Sequence, residues 1–404
     1  MGSISSVAGA HRLDPIDGKP RTTLEPRASF FSNTSMARED QRLASLDALR
    51  GFDMFWIVGG SLWITQLGEA TGWGWAKWLG GQMHHPEWHG FSAYDLIFPL
   101  FLFISGVTLP WSLGNHRDWG EAKWTQYAKI GKRVFLLVLL GAIYNGLLRF
   151  EWDEVRYASV LGRIGLAWGI AALVVIRYEI RGQVLALLGV IVGYWALLKF
   201  GHAPGFEPGD LTMEGNVVSY FDRQFLPGLL YKDIHDPEGL LGTVGAVGTA
   251  LMGALAGWWL KSYEPNGGLK AAGLFIAGAL STGAGLMWSS VGDLPLNKNL
   301  WTSSFVLVTG GLSLALLGLF YLLIDVWRLR VGFLFFIVIG MNPITIYLLE
   351  GRLIDFELPT TFLFGGAING FAEEYQGFLS ATAMVGLQWL LLFFLYRKRV
   401  FLRV

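Results

Sequence analysis

The chain has 404 residues, of which 53% are hydrophobic and only 15% charged, whereas a soluble domain of this length carries about a quarter charged residues. There is no Cys, which excludes a disulfide framework, a thiolate metal site and a cysteine nucleophile. The formal net charge is zero and no long basic tract occurs, so nucleic-acid binding has no footprint.

The charges gather in short clusters between long apolar runs, as expected when lipid is the solvent. Residues 1–41 read as a disordered cytoplasmic tail, polar and holding Asp14, Pro15, Asp17, Lys19, Pro20 and Arg21. The first apolar run starts only near Leu46, too late for a signal peptide. Ten apolar segments follow: Leu46–Leu67, Asp95–Leu113, Val134–Leu148, Val160–Ile176, Val184–Phe200, Leu240–Leu260, Ala271–Ser290, Leu300–Ile324, Val331–Leu349 and Phe378–Leu395. Most approach the ~20 residues that cross a bilayer, and Val134–Leu148 must borrow flanking residues. Basic residues fall on alternate loops, with Arg12 to Arg50 before or at the first segment, Arg117 to Arg133 before the third, and Arg397 to Arg403 after the last. The expected fold is therefore an all-α polytopic integral membrane protein of about ten transmembrane helices, N-in and C-in. Two loops on the outer side are long, Gly68–Tyr94 and Gly201–Gly239, and loops of that length are commonly functional.

The first segment opens with Asp47, Arg50 and Asp53, and these share one helical arc with Ser61. Charges at membrane depth must face protein or water. The stripe is either an Asp–Arg pair locking this helix to a neighbour or one wall of a polar cavity. The second cluster is His84-His85-Pro86-Glu87-Trp88-His89-Gly90, followed by Ser92, Tyr94 and Asp95. A histidine beside carboxylates can act as general base, acyl acceptor or metal ligand. Helical i, i+4 ligation by His85 and His89 would need Pro86 in a first turn, which disfavours a metal. These histidines could equally be solvated loop residues. Farther along, Asn297, Lys298 and Asn299 precede the eighth segment, Pro343 after Asn342 interrupts the ninth, and Arg163 stands near the start of the fourth. Each has a structural reading beside the functional one. No phosphate-binding loop, nucleophile elbow or HExxH helix occurs.

Several blocks together resemble the heparan-α-glucosaminide N-acetyltransferase catalytic family. They are Arg42 to Gly51, His85 to Gly90 with Asp95 to Pro99, Leu161 to Ile164, Asp236 to Thr243, Asn297 to Thr302 and Gly340 to Asn342, in the family's order. The resemblance covers nearly everything from Arg42 onward and makes residues 42–404 a transmembrane acyltransferase domain. It implies transfer of an acetyl group from cytosolic acetyl-CoA, a co-substrate, to the amine of a glucosamine across the membrane, with no metal. It places His85 at the catalytic position, through an acetyl-histidine or by direct transfer. An asparagine that assists the histidine in the animal enzymes corresponds to Ser61 here, and Asp53 is an added charge. The luminal domain of the animal enzymes is expected to be absent, which points to a bacterial inner-membrane protein acting on another amino sugar or envelope glycan, with a homodimer as one option.

The expected catalytic residues are His85, Asp95 and Ser61. Arg50, Asp47, Arg163, Asn299 and Asn342 are expected to bind CoA, with Arg50 near its phosphates and Asn299 or Asn342 donating to the oxyanion. The competing reading is a transporter or channel for a polar solute, which the charged stripe and the broken ninth segment suit equally well. A scaffold for envelope assembly is a third class, with no feature in its favour.

Overall fold

The computed structural model describes residues 43–113 and 123–402, which lie within one unit, Leu43–Val404. The expected tail, residues 1–41, lies outside them. Among the described residues every regular element is helical.

Helix α1 (Ala44–Phe55) passes through a π-turn (Trp56–Gly60) into α2 (Ser61–Thr71). The turn forms where Gly59 and Gly60 adjoin; Gly59 adopts φ +152°, which a side chain would oppose. A short helix, α3 (Gly74–Gly81), packs on α2 and leads into the His84–His89 loop. Next come α4 (Ile97–Val107), α5 (Lys123–Tyr144), α6 (Val160–Arg177), α7 (Ile180–Phe200) and α8 (Val217–Phe225). They are followed by α9 (Thr243–Lys261), α10 (Gly267–Val291), α11 (Ser303–Phe320), α12 (Leu334–Gly340), α13 (Pro343–Leu348), α14 (Glu357–Ile368) and α15 (Glu373–Arg397). Side-chain oxygens start several of them. Ser159 caps α6, Asn216 caps α8, Asn266 caps α10 and Thr302 caps α11, each accepting from a first-turn N–H.

Among the described residues seven helices are long and apolar enough to cross a membrane: Ala93–Ser112, Val160–Arg177, Ile180–Phe200, Thr243–Lys261, Gly267–Val291, Ser303–Val326 and Glu373–Arg397. The other three expected segments also form helices but differ from a plain apolar span. The first is broken at the π-turn and carries Asp47, Arg50 and Asp53. The third begins at Lys123, not Val134, and its first half holds Lys129, Lys132 and Arg133. The ninth stops at Gly340 and restarts at Pro343, because proline offers no N–H to continue the ladder. Helix α14 was not anticipated.

Helix α9 sits at the centre, with 78% of its apolar window buried, while α7, α10 and α15 bury about a fifth of theirs and present apolar surface outward. Small residues allow that centre to close. A Cβ on Gly106 of α4 would collide with the Ala250 carbonyl of α9, and one on Gly253 with the Phe103 carbonyl of α4. Helices α1 and α12 cross in the same way, Gly51 against the Phe336 carbonyl and Gly340 against the Asp47 carbonyl.

Candidate active site

The site begins with a local cap. Ser92 and Asp95 form a capping box at the head of the turn that leads into α4. The Ser92 backbone N–H and hydroxyl donate to Asp95 Oδ2 at 3.0 and 3.2 Å. Asp95 is thereby buried with its orientation set, and its other oxygen, Oδ1, lies 2.7 Å from His85 Nδ1. A carboxylate only accepts, so Nδ1 carries the hydrogen, and in the neutral ring Nε2 is the nitrogen with a lone pair. His85 remains partly exposed, with 45% of its side chain accessible. The Tyr94 ring lies against His85 with centroids 4.9 Å apart, and Ser61 of α2 stands beside Tyr94. Ser61 thus reaches the histidine through Tyr94.

His85 and Asp95 stand in the wall of a cavity of about 370 Å³. Its apolar part is helical and includes Met54, Ile57, Phe98, Phe101, Ile164 and Ile344. Its polar part comes from loops: Glu87, Arg156, Lys232, Glu238, Lys298 and Asn299. Both long loops flagged in the sequence meet here. Trp88 donates to the Leu211 carbonyl at 2.8 Å and packs edge-on against His235. Arg156 clasps the second loop, pairing with both Asp236 oxygens at 2.7 and 2.6 Å and with Glu238. Burial lowers the Arg156 pKa, but these carboxylates more than offset it and hold the guanidinium charged.

The structure distributes the expected site residues unevenly. His85, Asp95 and Asn299 line the cavity, and Ser61 joins through Tyr94. Arg163 is fully buried under it, donating to the Gly239 carbonyl at 2.9 Å and stacking 5.3 Å from the Trp301 ring. It ties three of the sequence blocks together. Asn342 is bonded at both ends of its amide to the chain end, donating to the Val400 carbonyl and accepting from Leu402 N–H. Asp47 and Arg50 pair at 3.3 Å, and Arg50 reaches the Gly340 carbonyl at 3.5 Å. Asp47 and Arg50 of the stripe therefore pack against α12, while Met54 of α1 and Ile57 of the π-turn face the cavity.

Sequence reasoning missed two residues. Lys298 Nζ lies 3.0 Å from His85 Nε2 and 3.7 Å from Asp95 Oδ1, and Arg156 organises the second loop. Their signal was present for Lys298, which sits inside the Asn297–Thr302 block. His85 to Gly90 is irregular rather than helical, so helical ligation by His85 and His89 does not occur. Asn297 instead contacts His89 Nδ1 at 3.1 Å.

Fold and site define an all-helical integral membrane protein with a histidine–carboxylate pair opening into a cavity between its helices. Residues 42–149 match a family described as a domain of unknown function, DUF5009. The chain is 26% identical to heparan-alpha-glucosaminide N-acetyltransferase of Homo sapiens over 99% of its length, and 25% identical to the enzyme of that name of Mus musculus over 94%. It spans 64% and 63% of the lengths of these curated relatives. The family resemblance carried by the sequence blocks is borne out.

Proposed function

We propose that this protein is a transmembrane acetyltransferase. It takes the acetyl group of acetyl-CoA and passes it to the amine of an amino sugar or envelope glycan. The observation that carries this reading is the His85–Asp95 pair, held by a capping box in the wall of a cavity. Similarity to the two named acetyltransferases supports it. His85 takes the acceptor's proton or the acetyl group itself. Asp95 holds its tautomer, and Ser61 steadies it through Tyr94. Asn299, lining the cavity, is the donor for the developing oxyanion. Arg50 and Asp47 belong to the CoA phosphate end, while Arg163 and Asn342 support the site through the framework they brace. The chain spans the membrane of a bacterial cell about ten times, with both termini inside and the His84–His89 loop outside.

The test uses purified protein in detergent, acetyl-CoA and a panel of amino sugars, reading free CoA thiol and acetylated sugar together. His85→Ala is expected to lower turnover about 10²–10⁴-fold with CoA binding and thermal stability retained, and His84→Ala to lower it little. Arg50→Gln is expected to weaken CoA binding. Equal rates in wild type and His85→Ala would overturn the assignment, and a wild type that transfers no acetyl to any acceptor would overturn the function.

A further inference from the structure

Attack of an amine on a thioester moves two protons. The nitrogen must lose one, and the departing sulfur must gain one. His85, backed by Asp95, is placed for the first. The side chain placed for the second is Lys298.

Its Nζ lies 3.0 Å from Nε2 and 3.4 Å from Nδ1 of His85. An atom in the ring plane on the Nε2 lone pair would be far from Nδ1. The near-equal distances put the ammonium over the face of the imidazole, so the in-plane lone pair stays open to the cavity. The backbone that delivers Lys298 is held firmly. Asn297 is buried, accepts from Leu300 N–H at 2.8 Å and contacts His89, and the Lys298 carbonyl accepts from Trp301 N–H. One turn therefore sends a residue to each of His85 and His89. Burial lowers the proton affinity of Lys298, against the opposing pull of the Asp95 and Glu238 carboxylates, while the nearby Arg163 lowers it further.

We propose that Lys298 is a catalytic acid that protonates the departing thiolate while His85 takes the acceptor's proton. The proposal rests on the acetyl-transfer reading above. The acceptor nitrogen's lone pair forms the C–N bond, and its proton passes to His85 Nε2. The C–S bond breaks with its electron pair on sulfur, and a proton from Lys298 Nζ turns the thiolate into free thiol. The His85 imidazolium then gives up its in-plane proton to solvent, the neutral Lys298 amine regains one, and both groups are restored. Nothing else is consumed. Two cations at 3.0 Å oppose each other, so protonation of His85 drives the Lys298 proton out, and the two half-steps are coupled.

The alternative role is a counter-ion for buried Asp95, which needs only charge. Lys298→Arg keeps the charge but, as a guanidinium that stays protonated, gives up no proton. It is expected to match wild type in thermal stability and CoA binding while losing roughly 100-fold or more in kcat. The native lack of Cys allows a sharper comparison. Lys298→Cys is expected to be inactive. Alkylation with 2-bromoethylamine, which rebuilds a lysine-like ammonium, is expected to restore acetyl transfer. Alkylation with (2-bromoethyl)trimethylammonium, which carries charge without a proton, is expected to leave it inactive. Comparable recovery with both reagents, no recovery with either, or a Lys298→Arg enzyme within threefold of wild type would overturn the proposal while leaving acetyl transfer intact. Wild type without acetyl transfer would instead remove the reading on which it rests.

Discussion

His235 shows how a single side chain couples the two long loops to solution conditions. It is buried against Trp88, ring centroids 5.0 Å apart, and its Nδ1 has no hydrogen-bond partner among the described residues. Burial, aided by Lys232, pushes its pKa to about 4, so it is neutral near pH 7. In the unfolded chain it titrates near its ordinary value of 6.5. A depressed pKa means that the unfolded state binds the proton first as the pH falls. The stability it contributes is complete above pH 6.5 and is lost between 6.5 and about 4. Asp222 has the opposite sign, since burial raises its carboxyl to about 6, so the effect must be read as a difference between variants. His235→Gln is expected to flatten the acid-side fall in Tm relative to wild type between pH 6.5 and 4. Parallel curves would assign the acid sensitivity elsewhere.

At the scale of elements, the crossing of α1 and α12 decides where the charged stripe goes. The two backbones touch through Gly51 and Gly340, and that contact brings the Gly340 carbonyl to Arg50. Asp47 and Arg50 are thus accommodated by packing, whereas Asp53 is buried with no hydrogen-bond partner for either carboxylate oxygen among the described residues. Any side chain at Gly340 must push the helices apart, at a cost of about 1–3 kcal/mol or more. Gly340→Leu is expected to lower Tm clearly in detergent. Gly283→Ala on α10, where an added Cβ meets nothing within 4 Å, is the matched control and is expected to be neutral. Equal Tm values for the two variants would show that the α1–α12 contact yields without cost.

At the scale of the whole molecule, function depends on which side of the membrane each face meets. The proposed arrangement sets His84 outside and Arg397 inside. With no native Cys, single cysteines at these exposed positions can be probed with a membrane-impermeant thiol reagent on intact cells. His84→Cys is expected to react from outside, and Arg397→Cys only after the membrane is opened. The reverse pattern would invert the topology and place the histidine with the CoA pool.

Composition and apolar run length determine the solvent of this protein and the existence of most of its helices, because a segment in lipid must satisfy its own backbone and cover itself with apolar side chains. Local residues also determine the breaks at Gly59-Gly60 and Asn342-Pro343, and the capping box that holds Asp95 beside His85 only ten positions away. Those contacts are short-range and leave marks in sequence. Tertiary structure alone decided the rest. Lys298 reaches His85 across 213 positions, Arg156 reaches Asp236 across 80, and Arg50 of α1 reaches the Gly340 carbonyl across 290. Such pairings depend on which helices pack together, and with one side chain at each end no periodicity or spacing records them.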